Sequence, residues 1–145
     1  MRILLAAGAL ATLPVDAADL PQDAVRYRQG IMTALAWNLA PLAYMVKGDH
    51  AFDDARFTVL AARTAVLSTM ALEGFSSDTA AEPSYSSAAV WQQQDDFKQR
   101  MHTLETTSAA LAKAAQRGDQ AQMRVLFADT VIVCKACHDQ YLLPR

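Results

Sequence analysis

Apolar residues recur along this chain at intervals of three and four, the period of one helix face, in four stretches separated by turn-forming residues. The first runs from Pro21 to about Val46, with Met32, Leu35, Leu39, Leu42 and Val46 as its inner stripe. Proline is tolerated in a first helical turn and Asp19 can cap it, while Pro41 removes one backbone hydrogen bond and predicts a kink. Gly48-Asp49 ends the stretch. The second runs from about Asp53 to Ala71 on a stripe of Phe57, Leu60, Thr64, Leu67 and Ala71. Between Gly74 and Ser87 the period gives way to Gly, Pro, Ser, Thr and Asp. This predicts one long connection and not a domain boundary, because neither flank is large enough to fold alone. The third stretch, Ser87 to Arg117, carries Val90, Phe97, Met101, Leu104, Ser108, Leu111 and Ala115 on one side, and Gly118-Asp119 reads as a stop followed by a cap. The fourth places Met123, Phe127, Thr130, Cys134, Cys137 and Tyr141 on one face. Two short links flanking one longer link predict an all-α fold, an antiparallel up-down-up-down four-helix bundle.

The opening residues do not join this pattern. Met1-Arg2 is a short basic start, Ile3 to Leu13 an apolar run without amphipathic period, and Val15-Asp16-Ala17 a small-residue cleavage site. Residues 1–17 are therefore expected to be a cleaved signal peptide, leaving 18–145 as one domain exported to the periplasm. The run is shorter than the about 20 apolar residues that span a bilayer, so no membrane span is expected. Its removal takes away one base, Arg2, and one acid, Asp16, and leaves the net charge at −2, so no basic excess points to nucleic acid. At 52% hydrophobic and 19% charged residues the chain is globular, and only five Gly and five Pro favour helix over sheet.

Both cysteines of the chain stand in Cys134-Lys135-Ala136-Cys137-His138, near its end. Two thiols three apart with a histidine directly after the second form the attachment signature of c-type haem. Each sulfur adds across a haem vinyl group, and the adjacent imidazole reaches the iron. On a helix the three side chains share one face, so they can converge on one porphyrin edge. Since that face continues the core stripe, the haem is expected inside the bundle, which would lack part of its core without it. Three other readings fit less well. A thioredoxin-like redox pair needs a β-α-β setting and no trailing histidine, a structural zinc site needs four ligands where only His50 and His102 remain, and a plain disulfide leaves His138 unexplained.

Beyond the haem motif, the opening helix reads Tyr27-Arg28-Gln29-Gly30-Ile31-Met32, Val46-Lys47-Gly48-Asp49 closes it, and Trp91 and Phe97-Lys98-Gln99 fall in the third helix. With the haem motif at the end of the chain, this resembles the class II cytochromes c, the cytochrome c prime family, over essentially the whole mature sequence. The resemblance implies one covalent haem c, attached through Cys134 and Cys137, with His138 as the proximal iron ligand. It implies that Arg28 and Gln29 lie against the haem propionates, where a guanidinium fork and an amide donor suit carboxylates. It places Met32 on the distal side of the iron. A ligating thioether gives a six-coordinate, low-spin haem suited to electron transfer, whereas a thioether that only packs over the iron leaves a five-coordinate site suited to nitric oxide or carbon monoxide.

Relatives with five-coordinate, gas-binding haem often carry a basic residue directly after the aromatic near the chain end, but here Tyr141 is followed by Leu142. An aromatic at the end of the second helix corresponds here to Leu72 or Phe75. His102 falls off the inner stripe of the third helix and His50 sits in the link between the first two, so both read as surface residues, and Lys135 reads as an outward charge able to steer redox partner proteins. Trp37 and Tyr44 face outward and are candidates for a homodimer surface. Electron transfer is the first functional reading and diatomic gas binding the competing one. No distal histidine or arginine pair is evident for peroxidase chemistry, so the chain is not expected to be an enzyme.

Overall fold

The computed structural model describes residues 21–144, so the expected signal peptide and the Asp19 cap lie outside the described residues. Helix α1 spans Pro21–Lys47 and α2 Asp54–Met70, followed by a 3-10 turn at Ser77–Thr79, a short α3 at Ala89–Gln92, α4 at Gln94–Gln116 and α5 at Gln120–Tyr141. Among the described residues no helix is long and apolar enough to cross a membrane. The caps follow sequence chemistry. Asp53 and Asp119 accept backbone N–H bonds from Arg56 and Gln122 at the starts of α2 and α5. Gly48 and Gly118 take positive φ just past the ends of α1 and α4, the left-handed position that glycine adopts without a Cβ penalty.

Contacts between helix ends establish the topology. Tyr27 at the start of α1 bonds Glu73 past the end of α2, and Thr58 early in α2 bonds the carbonyl of Ala115 late in α4. Ser87 before α3 donates its N–H to Tyr141 at the end of α5, and Arg124 near the start of α5 reaches Val46 at the end of α1. Successive long helices therefore run antiparallel, and the four-helix bundle is the observed fold. Helix α2 packs on α1 and α4, and α4 on α5, while direct contact between α1 and α5 is sparse.

The bundle interior divides along its length. At the end where α5 begins, Leu42, Met45, Phe57, Leu60, Leu111, Met123 and Phe127 pack into a closed cluster. At the other end Ile31, Leu35, Val90, Phe97, Met101, Leu104 and Tyr141 form a second cluster, with Met32, Cys134 and Cys137 packed against it. Between them, in the sequence of each helix, sit the buried polar residues Asn38, Thr64, Ser68, Ser108 and Thr130. Thr64, Ser68 and Thr130 return their hydroxyls to the carbonyl four residues back, so they are satisfied within their own helices.

Two expectations need correction. The third helix is not continuous from Ser87 to Arg117. It breaks at Gln93, whose backbone (φ −124°, ψ 46°) leaves the helical region between α3 and α4. Trp91 in α3 donates its indole N–H to the Ser76 carbonyl at 3.0 Å, tying this turn to the 71–88 connection and not to the axis of α4. The buried face of α1 is Val25, Arg28, Ile31, Leu35, Asn38, Leu42 and Met45, with Met32, Leu39 and Val46 only half-buried. The apolar stripe thus marked one flank of the inner face, and the full face includes an arginine and an asparagine that an apolar count passes over. The helix continues through Pro41.

Candidate haem site

The sparse seam between α1 and α5 opens at the second cluster into a cavity of about 670 Å³. Helix α1 lines it with Arg28, Gln29, Met32, Leu35, Ala36 and Leu39, and α5 with Val133, Cys134, Cys137, His138 and Tyr141. Val90, Phe97, Arg100, Met101 and Leu104 complete it from α3 and α4, and Phe75 and Ser84 to Ser86 from the long connection. The chain end closes over that connection, with Leu143 N–H donating to the Tyr85 carbonyl at 2.8 Å. All six residues singled out from the sequence, Arg28, Gln29, Met32, Cys134, Cys137 and His138, therefore border one space. Phe75 reaches it and Leu72 does not, which decides between the two candidate aromatic positions. His50 lies against Tyr44 at the opposite end of the bundle, and exposed His102 lies 3.6 Å from Glu105, so neither imidazole borders the cavity.

The thiols of Cys134 and Cys137 are half-buried and not joined to each other. Burial pushes Cys134 upward, and burial again is the largest influence pushing Cys137 up to about 11, against a smaller opposing pull from Arg100. Redox-active cysteine pairs depend on a lowered thiol pKa, so a thioredoxin-like role does not fit. Among the described residues no three His, Cys, Asp or Glu gather as metal ligands, which removes the zinc reading. An apolar chamber with two thiols and an imidazole along one wall does fit a porphyrin attached at its edge.

Arg28 is only 2% exposed. Its Nη1 donates to the carbonyl of Gly74 and to Thr79 Oγ1, and its Nη2 to Ser84 Oγ, each at 2.9 Å. Its guanidinium also lies 4.9 Å from the Phe75 ring centroid and 5.5 Å from that of Trp91. Burial lowers its pKa from the ordinary arginine value. Among the described residues no carboxylate pairs with it, so a full charge sits on the cavity wall among neutral acceptors only. A buried cation without a counter-charge is costly, and the two carboxylates of a haem would supply one at this wall. The fit to haem propionates is thus physical as well as positional. Gln29 is exposed at the same mouth.

Sequence reasoning missed the groups that hold Arg28 in place. Thr79, fully buried, and Ser84 come from the stretch without periodicity, where no local pattern marks a buried residue. It also missed the Asp96, Arg100 and Tyr141 cluster. Arg100 Nε and the Tyr141 hydroxyl both donate to Asp96 Oδ2, at 2.6 and 2.5 Å. The Tyr141 bond first, then the Arg100 bond, holds the Asp96 carboxyl below the usual carboxylate range. The i, i+4 spacing of Asp96 and Arg100 was a usable signal for half of it.

The sequence model of the family described as Cytochrome C' matches residues 23–142. Cytochrome c' of Alcaligenes xylosoxydans xylosoxydans is 33% identical over 121 residues, which cover 83% of this chain and 94% of that protein. Among solved structures, cytochrome c prime from Shewanella frigidimarina superposes with a TM-score of 0.84 at 36% identity, covering 87% of this chain and 98% of the other. A nitric oxide complex of a variant of cytochrome c prime from Alcaligenes xylosoxidans superposes at 0.81 with 30% identity, covering 86% and 97%. The chain belongs to the cytochrome c' family, and its cofactor is the single, covalently attached c-type haem of that family.

Proposed function

We propose that Cys134 and Cys137 carry the haem, that His138 is its proximal iron ligand, that Arg28 and Gln29 receive its propionates, and that Met32 covers the other axial face. On this reading the protein binds neutral diatomic gases, nitric oxide or carbon monoxide, in the periplasm. When bound, the haem iron supplies the atom at which such a gas coordinates or an electron is held.

The observation that carries the reading is the character of the α1 wall. Met32, Leu35, Ala36 and Leu39 are apolar, and the one hydroxyl among them, Thr33, is bonded at 2.8 Å to the Gln29 carbonyl of its own helix. No imidazole stands there, and the two guanidiniums that border the cavity, Arg28 and Arg100, both donate to protein acceptors. A neutral diatomic gas enters such a space at little desolvation cost and needs no hydrogen-bond donor. The nitric oxide complex among similar structures is consistent with this. Such a wall favours gas binding over electron transfer, the function first expected from the sequence.

Electron transfer keeps one observation in its favour, the half-buried thioether of Met32 on the same wall. Lys135, the residue considered for steering a redox partner, is ion-paired to Asp139 at 2.5 Å, which offsets its charge locally. The absorption spectrum of the reduced protein, with and without carbon monoxide, tests the choice. A high-spin spectrum and prompt carbon monoxide binding are expected. A low-spin spectrum that is lost in Met32→Ala overturns gas binding in favour of electron transfer.

The reading includes a homodimer. Trp37 is 78% exposed and Tyr44 47%, and Trp37 lines a shallow groove with Pro41 of α1 and Val59 of α2, which suits a second copy of the same face.

A further inference from the structure

One charged side chain on the cavity wall has no part in the functional site proposed above. Arg100 of α4 borders the cavity, and its Nη1 donates to the Ala136 carbonyl at 3.3 Å, inside the Cys134–His138 segment. Its Cζ lies 5.8 Å from the centroid of the Tyr141 ring, three residues past His138. Its Nε is fixed by Asp96 at 2.6 Å, and Asp96 is fixed in turn by the Tyr141 hydroxyl. Arg100 is about one-third exposed on its side chain, at 34%, whereas Asp96 is at 50% and does not border the cavity. The ion pair is therefore oriented, with its cation toward the haem segment and its carboxylate toward solvent. The position after Tyr141, in contrast, holds Leu142 and contributes no charge.

We propose that Arg100 is a positioning residue for the haem: from α4 it sets a fixed positive charge beside the Cys134–His138 segment, and so favours the ferrous over the ferric iron. Reduction adds one electron to the iron, and a nearby cation stabilises the form that carries it. Asp96 and Tyr141 hold the guanidinium in that orientation. The inference rests on the haem placement proposed above, and is independent of whether the protein binds gases or passes electrons.

Spectroelectrochemical titration of the haem-loaded protein at fixed pH tests it, comparing the unaltered chain with Arg100→Gln, Arg100→Lys and Asp96→Asn. Arg100→Gln should shift the reduction equilibrium toward the ferric form on the order of fivefold, Arg100→Lys should recover most of this, and Asp96→Asn should shift it the opposite way. Both neutral variants break the same ion pair, so a merely structural role moves them in the same direction. Added salt should shrink the difference between the unaltered protein and Arg100→Gln, which tests the same charge should Asp96→Asn fail to fold. A coloured Arg100→Gln protein with an unshifted equilibrium, shifts of equal sign, or a salt-independent difference overturns the inference. A colourless unaltered chain overturns the haem placement instead.

Discussion

The same added methyl group should move stability in opposite directions at two glycines. Gly30 lies on the exposed flank of α1, where a Cβ meets nothing within 4 Å. Alanine in a helix interior is favoured over glycine by about 0.5–1 kcal/mol, because the unfolded chain gives up less freedom. At Gly74 a Cβ falls 2.7 Å from the Ala24 carbonyl oxygen and 2.8 Å from Arg28 Cβ, atoms fixed to the backbone of α1. No flexible side-chain end can swing aside there, so the connection itself has to retreat from α1. Overpacking of this kind costs about 1–3 kcal/mol. The retreat also stretches the buried bond from Arg28 Nη1 to the Gly74 carbonyl, now 2.9 Å, and orphaning that carbonyl adds about 1–3 kcal/mol if the bond is lost. Gly30→Ala and Gly74→Ala should therefore differ by at least about 1.5 kcal/mol. For a domain of this size that is roughly 6 °C in melting temperature. Thermal unfolding of the haem-loaded variants, followed by far-ultraviolet circular dichroism, reads the difference directly. A Gly74→Ala protein melting at or above the unaltered one would refute the close approach of the connection to α1, and with it the account of how Arg28 is held.

Four further outcomes follow from the same geometry. Arg28→Met leaves Thr79 its bond to Ser76 at 2.7 Å but strips the buried Gly74 carbonyl of its donor, so urea unfolding should show a net loss on the order of 2 kcal/mol; an unchanged midpoint would mean the three bonds contribute nothing. The lowered Asp96 carboxyl contributes stability above its unfolded value of about 4, which is lost as pH falls through the folded value, and Asp96→Asn should flatten this acid limb of stability against pH. Burial, then the bond to Asp96, raises the Tyr141 hydroxyl above 10.0, so its contribution persists below that pH and is lost as pH rises through the folded value; Tyr141→Phe should remove the alkaline loss. Trp37→Glu should weaken the proposed dimer in sedimentation equilibrium without altering the visible spectrum, and an unchanged mass would exclude that face as the interface.

What the sequence made legible was the part of the site encoded locally. Cys134, Cys137 and His138 are brought together by helical spacing alone, so a single segment sufficed to place them. Met32 was legible as a position on α1, though it lies on the flank of the buried face and not at its centre. Arg28 was singled out through family resemblance and does border the cavity, but its burial was not legible, because its acceptors come from residues 46, 51 and 56 positions away. Such partners leave no periodic trace in a connection whose composition is that of an exposed loop. The break at Gln93 escaped notice for a related reason. Val90 and Phe97 keep helical phase across it, and only the tertiary bond from Trp91 to Ser76 shows that the first turn belongs to a different element.

The division of the bundle into two ends accounts for how a fold this small can hold so large a ligand. The cluster around Leu42, Phe57, Leu111 and Met123 is packed without help and fixes the register of all four long helices. Past the polar belt, α1 and α5 are no longer obliged to touch, because α2 and α4 already tie each of them to the rest. The apolar side chains facing the seam there, among them Leu35, Phe97, Met101 and Leu104, are the core that a fifth packing element would cover. A porphyrin is such an element, being broad, flat and largely apolar, and the proposed attachment to α5 would keep it in the seam. Its polar edge would need a polar exit, and Arg28 and Gln29, which border the cavity, are the proposed one. On that placement haem binding and completion of the core would be one event, and the residues that hold Arg28 at the cavity wall, Gly74 and Thr79, would act on stability and on the haem through the same contacts.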